Sequence, residues 1–456
     1  MKIEFETFVL ANGLTVILHV DRGSPLVAVN LWYHVGSKDE APGRTGFAHL
    51  FEHLMFMGSK HAPYPSFDAI MESWGGHNNG TTSNDRTNYY EIGPRNLLET
   101  FLWLEADRLA TLAEVITEEE LGKQRKVVLN ERRQSYENRP YGRTELRIPE
   151  VMYPPAHPYH WPTIGSHADL EAASVADVRQ FFERFYRPSN ASLTIAGDFE
   201  PAAARALVEK YFGWQAKREA PRPPAPETPV LADDRDETLS DRVQLPRLRL
   251  CWHAPALFAP GDAELDLAAH VLGGGKSSRL YRALVFDQRI AQDVFAYQSS
   301  QRLGSLFHVG STAKPDRALA DVGRAVEDQL ERLAHDGPSA AEVDRARNTH
   351  LADFYKSLDH LQTRADLLNH YQYLLGDPAG VERDVARYEA ATPASVRDAF
   401  AAVLAKHRLV IRTIPEAGGE GAAGEAASGE AASGEAASDE AASGEAGAED
   451  GAEATT

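Results

Sequence analysis

Cysteine is nearly absent: the chain of 456 residues has one, Cys251. An internal disulfide is therefore excluded, and so is a zinc site built from thiolates. Long apolar runs are missing too, since no stretch reaches the roughly 18 residues a spanning helix needs. A basic surplus is also lacking: Lys and Arg number 47 against 67 Asp and Glu, a net charge of −20. A chain of that sign is a poor ligand for nucleic-acid phosphates or anionic lipid, so neither nucleic acid nor membrane insertion is expected. The opening MKIEFETFVLANGLTVILHV alternates apolar and polar residues, with no basic segment ahead of an apolar one. It reads as strands rather than as a secretion leader. The location expected from this is the cytoplasm, or the periplasm if a leader has been removed.

What is present is an ordinary globular composition, 43 % hydrophobic and 25 % charged, with two breaks. Residues 416–456 repeat GEAAS with a period of five and hold eleven acidic residues, no basic one and no aromatic. More than half of the net charge thus sits in a segment too poor in apolar surface to offset its ordering entropy, and a disordered acidic tail is expected. Residues 215–242 join a proline-rich run to an acidic one and read as a linker. The remainder divides into domains at 1–214 and 243–415.

These halves resemble each other. ASVADVRQFF at 173–182 matches ATPASVRDAF at 391–400, an offset of 218. At an offset of 217, His53 falls opposite His270. Two matches at nearly one offset point to a duplication. LTVILHV and LVAVNLWYHV alternate as strands do, and 191–197 reads as another. Helical spacing runs over 46–57, 65–74, 95–112, 117–137 and 175–186. The fold class expected is α+β: two duplicated domains, each a mostly antiparallel sheet flanked by helices.

The chemistry is carried by FAHLFEHLMFM at 47–57. Positions four apart stack on one helix face, so His49 and His53 can aim two imidazoles at one point. Glu52 lies three residues after His49, near enough to reach that point without being a ligand. This is H-x-x-E-H, the inverted form of the metalloprotease helix motif. A catalytic zinc needs a third protein ligand and an open position. Glu131, in KVVLNERRQSYE, is the best candidate, with Val127, Val128 and Leu129 to bury its helix. Paired histidines and a carboxylate in so apolar a helix are costly unless something compensates.

The surrounding text resembles the pitrilysin/insulinase family of zinc metallopeptidases, which includes the mitochondrial processing peptidase. The likeness spans nearly all of 8–415 and rests on six landmarks in order: GRTGFAHLFEHLMFMGS, NNGTTSNDRTNYYE, VVLNERRQSYENRPYG, HPYHWPTIG, FFERFYRPSNASLTIAGDF with KYFG, and GGGKSSRLYRAL. The resemblance implies that His49, His53 and Glu131 hold one zinc ion per chain and that Glu52 is the general base. Gln124 stands where the family often has a supporting glutamate. The resemblance also implies an exposed edge strand at Thr87–Glu91 to which a peptide adds, with Asn79 holding its backbone. From the residues alone, Asn78-Asn79-Gly80 is equally a turn.

The second half lacks the site. Opposite His49, Glu52 and His53 stand Asp266, Ala269 and His270, and opposite Glu131 stands Asn348 or Thr349. Active relatives also carry an arginine and a tyrosine there, seven apart, that bind substrate. Here those positions are Val285 and Gln292, while Arg289 and Tyr297 are eight apart. The expected function is a zinc-dependent endopeptidase acting on extended peptides or unfolded segments. The chain would be the zinc subunit of a heterodimer with a homologous zinc-free partner, or a homodimer. The alternatives are a non-catalytic structural subunit, against which the four retained residues argue, and a zinc hydrolase for small molecules.

Overall fold

The computed structural model describes residues 3–416. All but the first residue of the expected acidic tail lie outside them, and Glu416 itself pairs with Arg143 at 3.2 Å. The first half forms strands β1 (Glu6–Val9), β2 (Thr15–Val20), β3 (Leu26–Tyr33), β4 (His77–Thr82), β5 (Thr87–Pro94) and β6 (Ala191–Gly197). Its helices are α1 (Phe47–Leu54), α2 (Ser66–Trp74), α3 (Leu98–Val115), α4 (Glu118–Arg132), α5 (Gly142–Met152), α6 (His167–Ala172), α7 (Val175–Phe185) and α8 (Pro201–Phe212). The second half forms β7 (Arg235–Asp241), β8 (Arg247–Ala254), β9 (Ala291–Ser299), β10 (Ser305–Ala313) and β11 (Arg408–Pro415). With them go α9 (Asp262–Gly273), α10 (Leu319–Asp336), α11 (Ala340–Ser357), α12 (Leu361–Leu375), α13 (Gly380–Ala390) and α14 (Pro393–Leu404).

The sheets run β1-β2-β6-β3-β5-β4 and β7-β11-β8-β10-β9. Each is antiparallel except for one parallel pair, β2 with β6 and β7 with β11. The two-domain α+β architecture expected from the sequence is therefore what forms. One face of each sheet carries most helices and a large apolar core. In the first, Leu50, Phe51 and Leu54 of α1 meet Phe181, Phe182 and Phe185 of α7 over the sheet. In the second, Leu265, Leu272 and Phe400 pack over β8 and β10.

The opposite faces are covered by exchange. Leu361 and Ala365 of α12 lie on Ala28 and Ala196 of the first sheet, where small residues let a helix approach closely. Asn369 of α12 donates to the Asn30 carbonyl at 2.9 Å. Asp366 accepts from Trp32 Nε1 at 2.8 Å and Asn30 Nδ2 at 3.1 Å. In return, Ile148 and Met152 of α5 pack with Cys251, Leu409 and Ile411 of the second sheet.

Two expectations need correction. Thr87–Glu91 is a strand but not the edge: β5 lies between β3 and β4, and the outer strand is β4, His77–Thr82. The HNNGTT composition hides it, because Asn and Gly are poor strand formers and only pairing with β5 imposes the extended form. The linker expected over 215–242 ends in β7, whose charged residues show no clear alternation of apolar and polar positions. Pairing with β11 and the Arg147–Glu237 bonds, 2.8 Å each, hold it in place.

Candidate metal centre

Helix α1 starts where two backbones touch. Gly46 has φ 85° and Gly165 φ 73°, and a Cβ on Gly165 would stand 2.4 Å from the Gly46 Cα. Only glycines suit both positions, which ties the GRTGFAH segment to the end of HPYHWPTIG. The Glu40 carboxylate then closes the open helix end, accepting from the N–H groups of Gly46 at 2.9 Å and Ala48 at 2.8 Å. Burial pushes the Glu40 carboxyl well above its ordinary range, against the pull of those two donors. Phe51, on the buried side, stacks on Phe181 and Phe182 and packs against Tyr186. With that face anchored, His49, Glu52 and His53 are left partly exposed on the other.

Glu131 reaches them from the last turn of α4. Its oxygens lie 3.6 Å from His49 Nε2 and 3.3 Å from His53 Nε2. Burial of Val128 and Leu129 fixes that face, whereas Val127 is 47 % exposed and takes no part. One nitrogen from each imidazole and one Glu131 oxygen lie within 4.8 Å of one another, the one group of its kind among the described residues. Tetrahedral ligands at zinc bond lengths of roughly 2.0–2.2 Å stand about 3.4 Å apart, which the two Glu131–imidazole separations match. Burial lowers the His49 pKa and keeps the ring in the neutral form that can ligate. Burial would raise the Glu131 carboxyl, but the bond to His53 and its electrostatic interaction with the two imidazoles bring it below its ordinary value. Three protein donors leave room for a water, as catalytic rather than structural zinc sites do.

Glu52 is not in the cage. It turns toward β4, where its Oε2 accepts from the Thr82 hydroxyl at 2.5 Å. Gly80, two residues back on the same face, makes the space: a Cβ there would lie 3.1 Å from Glu52 Cγ and from Tyr89 Cδ1. Asn79 immediately precedes Gly80 on β4, opposite Tyr90, so alternation points it to the other face of the sheet. Its Oδ1 accepts from the Gly80 N–H at 2.8 Å. Gln124 Nε2 meets Met57 Sδ at 2.7 Å. The structure brings together the two histidines and Glu131 that the sequence singled out, with Glu52 beside them, while Thr82 and Glu40 were not among the residues it singled out. The period of two from Gly80 to Thr82 was the available signal, once β4 is known to be a strand.

The second half is built differently at the corresponding place. Asp266 and His270 lie on α9, but Asp266 Oδ2 accepts from the Tyr388 hydroxyl of α13 at 2.7 Å. His350 of α11 stacks on the same Tyr388, with ring centroids 3.9 Å apart. Of the substrate-binding positions, Val285 packs against the second core and Gln292 is exposed. Tyr297 is largely buried, its hydroxyl bonded to Arg249.

Comparison with known proteins agrees with this architecture. Residues 15–154 match the family described as insulinase (peptidase family M16), and residues 172–349 match the peptidase M16 inactive domain. The zinc protease PqqE of Helicobacter pylori is 30 % identical over 370 residues, covering 80 % of this chain and 83 % of that one. The zinc protease YmxG of Bacillus subtilis is 26 % identical over 371 residues, covering 80 % and 87 %. A solved protease structure from Helicobacter pylori superposes with a TM-score of 0.84 at 26 % identity, over 91 % of this chain and 100 % of that one. A peptidase M16 inactive domain from Pseudomonas fluorescens shares the fold, with a TM-score of 0.81 at 17 % identity, over 91 % and 98 %.

Proposed function

Because the chain belongs to the insulinase family, peptidase family M16, we propose that it is a zinc-dependent endopeptidase acting on extended peptides. The observation that carries this is the convergence of His49, His53 and Glu131 on one point, with Glu52 beside them. Zinc bound there supplies a water of lowered pKa and a polarised scissile carbonyl. Glu52 accepts the water's proton as the new carbon–oxygen bond forms. It then delivers that proton to the leaving amine as the carbon–nitrogen bond breaks, so no covalent intermediate is required. The peptide pairs with the outer strand β4, main-chain bonds supplying affinity and side-chain pockets selectivity. Asn79, on that strand, holds its backbone.

The chain acts as the zinc subunit of a heterodimer whose homologous partner brings the arginine and tyrosine. Val285 and Gln292 in their places, and a Tyr297 engaged with Arg249, support this reading. Cleavage of a peptide library, with and without chelator, by the chain alone and with its genomic neighbour tests both parts. Chelator-sensitive cleavage that needs the neighbour is expected, with about one zinc per chain. Full activity of the chain alone removes the heterodimer. Glu52→Gln should keep the zinc and lose cleavage by about 10²–10⁴-fold. Zinc without cleavage under either condition would favour a structural subunit.

A further inference from the structure

The general base is held by a strand that the second half grips. Thr82 ends β4, and its hydroxyl donates to the Glu52 carboxylate. Immediately after Thr82 comes the turn of the β4–β5 hairpin, residues 83–86. Asp85 at its tip is tied from several sides. Its carboxylate accepts from the Tyr159 hydroxyl at 2.6 Å and from the Arg302 N–H at 3.1 Å. Its carbonyl accepts from Lys38 Nζ at 2.8 Å and from the Tyr373 hydroxyl at 3.0 Å. Arg302 and Tyr373 belong to the second half, in the β9–β10 turn and in α12. The half without a metal cage therefore fixes the hairpin whose outer strand carries Thr82.

We propose that Thr82 is a positioning residue for Glu52, and that the second half acts on the base through the β4–β5 hairpin. This rests on the reading of Glu52 as the base. A carboxylate on a helix turn can rotate about its side-chain torsions; one hydrogen bond from a residue whose backbone is fixed at both ends selects a single orientation. Preorganisation of that kind raises turnover rather than substrate affinity. The peptide would pair with the same strand, so substrate docking and base orientation share one element.

The test uses the full chain with whatever partner it needs, a fluorogenic peptide, zinc analysis and thermal melting. Thr82→Val keeps the shape and removes the hydroxyl; Thr82→Ser keeps the hydroxyl and removes a methyl. The expected result is a kcat about tenfold or more lower for Thr82→Val, with KM within about twofold and zinc unchanged. Thr82→Ser should stay near the parent rate. The reverse order, valine tolerated and serine impaired, means that packing alone matters and overturns the proposal. Should Thr82→Val fail to fold, serine is compared with alanine, and equal rates overturn it. Tyr373→Phe should lower kcat a few-fold in the parent chain and have no further effect beside Thr82→Val. Additive losses remove the second half's part. Glu52→Gln runs alongside. If it stays active, or the parent shows no chelator-sensitive cleavage, the base reading falls and this proposal with it. If Glu52→Gln is inactive while Thr82→Val is unimpaired, only the Thr82 assignment falls.

Discussion

Helices α1 and α9 occupy corresponding places in the two halves of the sequence, and the difference between their surroundings is instructive. Around α1, two imidazoles and a carboxylate face one another at 3.3 and 3.6 Å. Beside α9, Tyr388 fills the space, with Asp266 hydrogen-bonded to its hydroxyl and His350 stacked on its ring. The residue 218 positions before Tyr388 is Leu170, which is buried in the first core. Asp262 and Asp384 near the second site are both bound by Arg387. The fold can thus close this corner with an aromatic plug and neutralised acids. The first half leaves three donors facing one another instead, which is costly in a folded chain unless an ion occupies the cage.

The largest effect should separate the two corners outright. His53→Ala or Glu131→Ala should remove the zinc and abolish cleavage, whereas His270→Ala should leave zinc at the parent level by elemental analysis. Metal loss in the last variant would break the contrast. A smaller effect is expected at Gly80. Adding a methyl there displaces Glu52 by a few tenths of an ångström, and Gly80→Ala should lower kcat by about tenfold or less with metal retained. On the α9 side, Tyr388→Phe strips a buried acid of its partner and should cost about 1–3 kcal/mol in denaturant melts, without touching activity.

The smallest effect is one of pH. Burial, helped by the charge of Asp262, pushes the Asp266 pKa up to about 7 from an ordinary 3.8. The folded chain then holds a proton that the unfolded chain releases. The stability contributed is present below the unfolded pKa and declines as pH rises from about 4 to about 7. Asp266→Asn should flatten that slope in melting profiles. An unchanged slope would show that Asp266 is already ionised at neutral pH.

Much of the fold was legible because period-two and helical patterns are local. β2, β3, β6, α1, α2 and α7 follow from alternation and helical spacing, and H-x-x-E-H needs only one helix to be read. What escaped depends on partners distant in sequence. The outer strand β4 is written in turn residues and exists because β5 lies beside it. β7 is a charged segment made a strand by β11 and by Arg147. Thr82 reaches Glu52 across 30 positions, and Glu40 caps a helix from outside it; neither contact is local in the sequence. The exchange of α5 and α12 was likewise invisible, since their lengths and compositions do not say which sheet each will cover.

That exchange has a consequence for the integrity of the chain. Residues 216–234, between α8 and β7, carry no helix or strand, yet each side of them leaves a helix lodged on the sheet of the other. Proteolytic nicking there would release no free fragment: separation would strip Ala28 and Ala196 on one side, and Cys251 and Ile411 on the other, of their cover. Two polypeptides expressed from a gene split at this point should therefore co-purify as one particle.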